Sequence, residues 1–228
     1  MLNIDESEFS IPLRIQSNIT RQTNITYDYL NEFHLLRSMP LIVIDSHKPW
    51  DNSSRILEPI ESLLLSKPCN LQTSLLFQPQ TYRKSDNTHA ILFDLLTDMW
   101  NSSAWMLHFR NCELNTVKQT RLMVDKPYFY APHLEMPYTT WILLSRGYRS
   151  GSAKFLKLSG LIIVMQLTES LQISLRAKGE CRDICVDLNF QLHQGESLVF
   201  LTSLWNMVYV PNSTNNTAIS FITETYHN

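Results

Sequence analysis

From about Thr139 to the end, the chain is divided into short apolar runs at close and regular spacing, and this most constrains its fold. The runs fall at 140–144, 153–158, 161–167, 171–175, 186–192, 197–202, 206–210 and 218–223. Each is too short for a helix of ordinary length, and several are rich in β-branched residues. In one of them Leu171, Ile173 and Leu175 alternate with Gln172 and Ser174, the period of a strand with one buried face. Eight such strands in succession predict a sandwich or jelly roll. Only five glycines occur in 228 residues, well below the usual ~7%, so the turns must be built from Asn, Ser, Asp and Pro.

The first half reads differently. Residues 1–36 are polar and rich in Asn and Thr, and predict a loosely tied arm or peripheral hairpin. Residues 39–45 and 71–77 predict strands. Between 54 and 66, Ile56, Leu57, Ile60, Leu63 and Leu64 share a helical face, as do Ile91, Leu92, Leu95, Leu96 and Met99 between 88 and 100. The segments 105–110 and 120–124 carry no decisive period, and Pro127, Pro132 and Pro137 break the stretch before Thr139 into extended pieces. The expected organisation is an arm over 1–36 and one domain over 37–228, with a lead-in over 37–138 and a barrel core over 139–228.

Composition excludes some classes. A net charge of −2, without a long basic run, argues against a nucleic-acid footprint. No apolar run approaches the roughly 18 residues of a membrane span. The start of the chain lacks the basic and apolar segments of a signal peptide. Six glycosylation acceptor patterns nevertheless occur, at Asn18, Asn24, Asn52, Asn101, Asn212 and Asn215. Together with four cysteines, Cys69, Cys112, Cys181 and Cys185, they point to the secretory route or the extracellular space. An even cysteine count in an oxidising compartment allows two bridges, with connectivity open. Cys181 and Cys185 are spaced as a zinc pair could be, but no second Cys/His pair accompanies them.

Several segments share an order. Met39-Pro-Leu-Ile-Val-Ile is followed by Trp50. Trp105-Met-Leu-His-Phe-Arg-Asn-Cys112, Lys126-Pro-Tyr-Phe129 and Trp141 come next. Glu180-Cys181 with Cys185, Gly195-Glu196 with Trp205, and a closing segment holding Glu224 and Tyr226 complete the series. Over roughly residues 39–226 this order resembles the JmjC-type, cupin-like Fe(II)/2-oxoglutarate oxygenases, in an extracellular animal branch. The resemblance implies a double-stranded β-helix with a few flanking helices in the N-terminal half.

Active members of that family hold Fe(II) with a His-x-Asp/Glu pair and a distant His, and pair a Lys with 2-oxoglutarate. The chemistry needs two neutral imidazoles and one carboxylate, with open positions for co-substrate and oxygen. Aligned from Trp141 and from Glu180-Cys181, the His-x-Asp position falls on Phe155 and Lys157. The Lys position falls on Leu171, and the distant His on Asn206. Phe155 has no lone pair, Lys157 is a cation, Asn206 offers a neutral amide, and Leu171 cannot neutralise a carboxylate. These four departures imply a pseudo-oxygenase with no cofactor and no catalytic residue. In a rival register, His133 and Glu135 form the pair and Arg149, sixteen residues past His133, meets the co-substrate. That register implies an active protein hydroxylase or demethylase using Fe(II) and 2-oxoglutarate.

Other residue types read as structural. His193 precedes the Gly195-Glu196 turn as an exposed turn residue, and His108 reads as a satisfied, half-buried histidine. The favoured expectation is a binding or structural module whose partner, a protein or small ligand, meets the barrel mouth.

Overall fold

A computed structural model describes residues 18–48, 50, 54–66, 68–74, 88–130 and 139–225. The last of these segments contains the eight expected strands, each close to its predicted place. They are β5 (Thr139–Arg146), β6 (Lys154–Phe155), β7 (Leu161–Thr168), β8 (Ser170–Ala177), β9 (Leu188–His193), β10 (Ser197–Leu201), β11 (Trp205–Val210) and β12 (Ala218–Thr225). β5, β7, β10 and β12 enter a large sheet, and β6, β8, β9 and β11 form a small one. The chain therefore crosses between sheets at almost every turn, which is jelly-roll winding.

Four earlier strands extend the large sheet: β1 (Thr20–Gln22), β2 (Leu41–Val43), β3 (Asn70–Thr73) and β4 (Trp105–Asn111). Its order is β1-β2-β10-β7-β12-β5-β4-β3, and the small sheet runs β6-β11-β8-β9. The central β7 reads Leu-Ile-Ile-Val-Met-Gln-Leu-Thr and is buried along its whole length, as a strand packed on both faces must be. One face, with Ile162 and Val164, looks into the barrel toward Ile173, Leu175, Met207 and Tyr209 of the small sheet. The other, with Ile163 and Met165, packs against the helical layer through residues such as Leu63, Leu64, Leu92 and Leu95.

That layer contains α2 (Ser54–Leu65), α3 (Thr88–Asn101) and α4 (Leu114–Met123). The first two match the periodic stretches of the sequence. α4 was not expected as a helix, because two of its three buried residues are threonines, Thr116 and Thr120 beside Val117. Such a stripe leaves little apolar periodicity to read. Trp105 to Asn111, undecided from sequence, is a strand bonded to β5 throughout.

The N-terminal segment corrects a further expectation. Residues 18–36 do not hang loosely: β1 pairs in parallel with β2, and α1 (Tyr27–Leu30) continues into a π-helical turn over Asn31–Leu35. Ile25, Leu30 and Leu35 are buried in the helical-side core. Three apolar residues at suitable positions dock a segment whose average composition is polar. Among the described residues no helix is long and apolar enough to cross a membrane.

Candidate functional site

Strand pairing fixes what the barrel interior contains. β11 lies between β6 and β8, with Tyr209 opposite Lys154 on one side and Ile173 on the other. Directly opposed residues of an antiparallel pair share a face. Trp205, Met207 and Tyr209 are buried with Leu171, Ile173 and Leu175 in the barrel core, joined by Leu156 just past β6. Asn206 stands opposite the exposed Arg176, and Phe155 opposite Val208, on the outer side.

This placement corrects the expectation that Phe155, Lys157 and Asn206 converge inside the barrel. Phe155 is 57% exposed, Lys157 is exposed and Asn206 is half-buried on the outer face. The side-chain period of a strand is two, so a step of one residue moves a whole set to the opposite face. The inward positions are instead Lys154, Leu156, Trp205, Met207 and Tyr209. Leu171 does face inward, buried at the start of β8. His133 and Glu135 lie outside the described residues, and Arg149 is exposed on the loop after β5.

One polar group crosses the interior. His108 on β4 and Tyr209 on β11 are joined by a 2.6 Å hydrogen bond through Nδ1 and the phenol oxygen. The edge of Trp141 meets the imidazole, with centroids 5.9 Å apart at 82°. Burial first, and the positive charge of Lys154 second, hold the His108 pKa down at about 4. Burial likewise pushes the Tyr209 phenol well above its ordinary value. Both groups are therefore neutral near pH 7, and the pair ties the two sheets together. His108 is thus a satisfied histidine, as expected, but fully buried rather than half-buried.

The other landmarks also hold the frame. Gly195 has φ 87° in the turn before β10, and the Glu196 carboxylate accepts from the His193 backbone N–H at 2.8 Å and pairs with Arg21. His193 is exposed, as expected. The Trp205 indole donates to the Ser38 carbonyl at 2.9 Å. Glu224 pairs with Arg110 at 2.9 Å and accepts from the Ser159 N–H, while Arg110 lies 5.6 Å over the Trp141 ring. Buried carboxylates and an indole N–H require such partners. The family-like residues seen in the sequence thus do structural work here.

The cysteines lie in two bonded pairs, Cys69 with Cys112 and Cys181 with Cys185, at Cα separations of 5.9 and 5.1 Å. Of the acceptor asparagines, Asn18, Asn24, Asn101 and Asn215 are exposed. Asn52 lies outside the described residues. Asn212 is buried, and its amide N–H groups donate to Thr214 Oγ1 and the Asn216 carbonyl. It is already committed to a turn.

A metal centre is poorly served by these donors. β6, β8 and β11 carry no His, Asp or Glu at all. Among the described residues no group of three His, Cys, Asp or Glu side chains could hold an ion. The donor set facing the interior from these strands does not fit an iron shell of two imidazoles and one carboxylate.

No protein-family model matches the sequence, and no curated protein matches it. The backbone is similar to two solved structures of YcfD from Escherichia coli, one described as a ribosomal oxygenase. Each aligns with TM-score 0.54 and 12% identity over 91% of this chain, covering 52% and 54% of the other chain. The chain spans about half the length of those proteins. The likeness is one of architecture: the chain shares the jelly-roll fold of those structures.

Proposed function

We propose that this chain is a catalytically inactive form of the oxygenase fold, retained for binding or for structure in the secretory route or extracellular space. The carrying observation is the set of side chains that β6, β8 and β11 turn inward: Lys154, Leu156, Leu171, Ile173, Leu175, Trp205, Met207 and Tyr209. A cation at the edge of an apolar cluster repels Fe(II), and the inward leucine at 171 cannot neutralise the far carboxylate of 2-oxoglutarate. Two cysteine pairs at bonding distance support an oxidising compartment. The domain is one unit that takes in the docked segment 18–36, and a protein or small ligand meets its barrel mouth.

The test is turnover. Purified protein supplied with Fe(II), ascorbate and 2-oxoglutarate is expected to release no succinate above a metal-free control. Succinate release that disappears in His133→Ala and Glu135→Ala would establish instead an active hydroxylase or demethylase working through those two residues.

A further inference from the structure

The loop between β5 and β6 reads Arg146-Gly-Tyr-Arg-Ser-Gly-Ser-Ala-Lys154, with Lys157 just beyond. Four basic residues fall within twelve positions, and no Asp or Glu occurs between Glu135 and Glu169, in a chain whose overall balance is slightly acidic. Hydroxyls alternate with these charges at Tyr148, Ser150 and Ser152.

The structure gathers these groups. Gly147 and Tyr148 donate their backbone N–H groups to the carbonyls of Thr214 (2.6 Å) and Asn212 (3.0 Å), which fixes the base of the loop. The Ser150 and Ser152 hydroxyls are 2.8 Å apart, and the Tyr148 phenol lies 3.4 Å from Ser152 Oγ. Lys154 Nζ stands 5.5 Å over the Tyr148 ring. Among the described residues no carboxylate lies within ion-pair distance of Lys154, Arg149 or Lys157. Glu169 accepts from Asn216 at 2.8 Å, and Arg146 donates to the Asn215 carbonyl.

The balance of donors and acceptors points outward. Three hydroxyls and an ammonium bring six donor hydrogens, and bonds within the cluster use only some of them. No carboxylate is present to absorb the rest. The same surroundings act on Tyr148: hydrogen bonds from Ser150 and Ser152, then Lys154, lower its pKa. A negatively charged oxygen is therefore favoured at this position. Beside Gly151, whose φ is +62°, a Cβ would meet nothing within 4 Å, so there is open space for an incoming group.

We infer that the loop from Tyr148 to Lys154 is a binding site for a tetrahedral oxyanion, a phosphate or sulfate group. Such a group supplies several acceptor oxygens and a charge of up to −2, which matches a surplus of hydroxyl donors beside an ammonium with no carboxylate partner among the described residues. A planar carboxylate offers fewer acceptors and less charge. The hydroxyls stand on the loop between β5 and β6, and Lys154, at the edge of the barrel interior, is shared with it.

The experiment titrates the full chain with inorganic phosphate and, separately, inorganic sulfate at constant ionic strength, following the amide resonances of residues 147–154. Acetate and 2-oxoglutarate serve as carboxylate controls. Saturable shifts with phosphate, sulfate or both are expected, and preference between them identifies which ester the site serves. Lys154→Gln should weaken binding by about tenfold, since it removes a charge-assisted contact. Lys154→Arg should largely retain it, and Ser150→Ala with Ser152→Ala should weaken it several-fold. The two serines are exposed, so unchanged melting of that variant separates lost binding from lost folding. Linear, non-saturating shifts would overturn the inference, as would equal binding of acetate or full retention in Lys154→Gln.

Discussion

At the scale of residues, the buried histidines have the clearest consequence. His34, His47 and His108 all have pKa values lowered chiefly by burial, His108 to about 4. His108 stays neutral in the fold down to about pH 4, whereas the unfolded chain takes up a proton near pH 6.5. The unfolded state then binds more protons between those two values, so stability rises with pH across the window. The contribution is complete above about pH 6.5 and is lost as the pH falls toward about 4. For His108 alone the shift corresponds to on the order of 3 kcal/mol. Melting temperature should therefore fall steadily from neutral pH to pH 4, and less so in His108→Phe. A flat profile over that range would contradict the burial argument. The same scale explains the misplaced site: the residue types at Phe155, Lys157 and Asn206 were legible, but the side of the strand on which they stand was not.

Among the elements, the loop entry at Gly147 is tightly specified. Its φ is +59°, and a Cβ there would come within 2.5 Å of the Ser103 carbonyl oxygen. Gly147→Ala adds a backbone clash to an unfavourable conformation, and should cost roughly 1–3 kcal/mol or more. Thermal melts check this, and an unchanged midpoint would show that the 103–104 turn yields freely. The two disulfides differ in the chain they enclose. Cys69–Cys112 spans 43 residues in sequence and Cys181–Cys185 only 4. By loop entropy alone, the first contributes about 4 kcal/mol and the second about 2. Replacing Cys69 and Cys112 with alanine should lower the unfolding free energy from denaturant titration by an amount near that figure, more than replacing exposed surface residues does. The helix α4 shows the converse of a legible pattern: Thr116 and Thr120 pack well beneath it, yet a threonine stripe has no hydrophobic period to announce it.

For the whole molecule, the compartment is the open test. Expression through the secretory route should give a glycosidase-sensitive mass shift arising from exposed Asn18, Asn24, Asn101 or Asn215. Asn212 should stay unmodified, because its amide is buried and bonded within the 212–216 turn. Carbohydrate found on Asn212 would mean that this turn opens before folding is complete. A chain with no mass shift at any site would argue for a home outside the secretory route.

The sequence by itself determined the eight strands of the barrel, two of the helices, the Gly195-Glu196 turn and the Trp205 corner. Each of these is written in a local period or in a turn residue, and needs no distant partner to be read. It also showed which residue types stand on each strand. Only the tertiary structure decided which of them face one another. Inward or outward is settled by register across β6, β11 and β8, where a step of one residue reverses the answer. The contacts that matter most, His108 with Tyr209, Arg110 with Glu224, and Lys154 beside the hydroxyls of its own loop, depend on how two sheets close on each other.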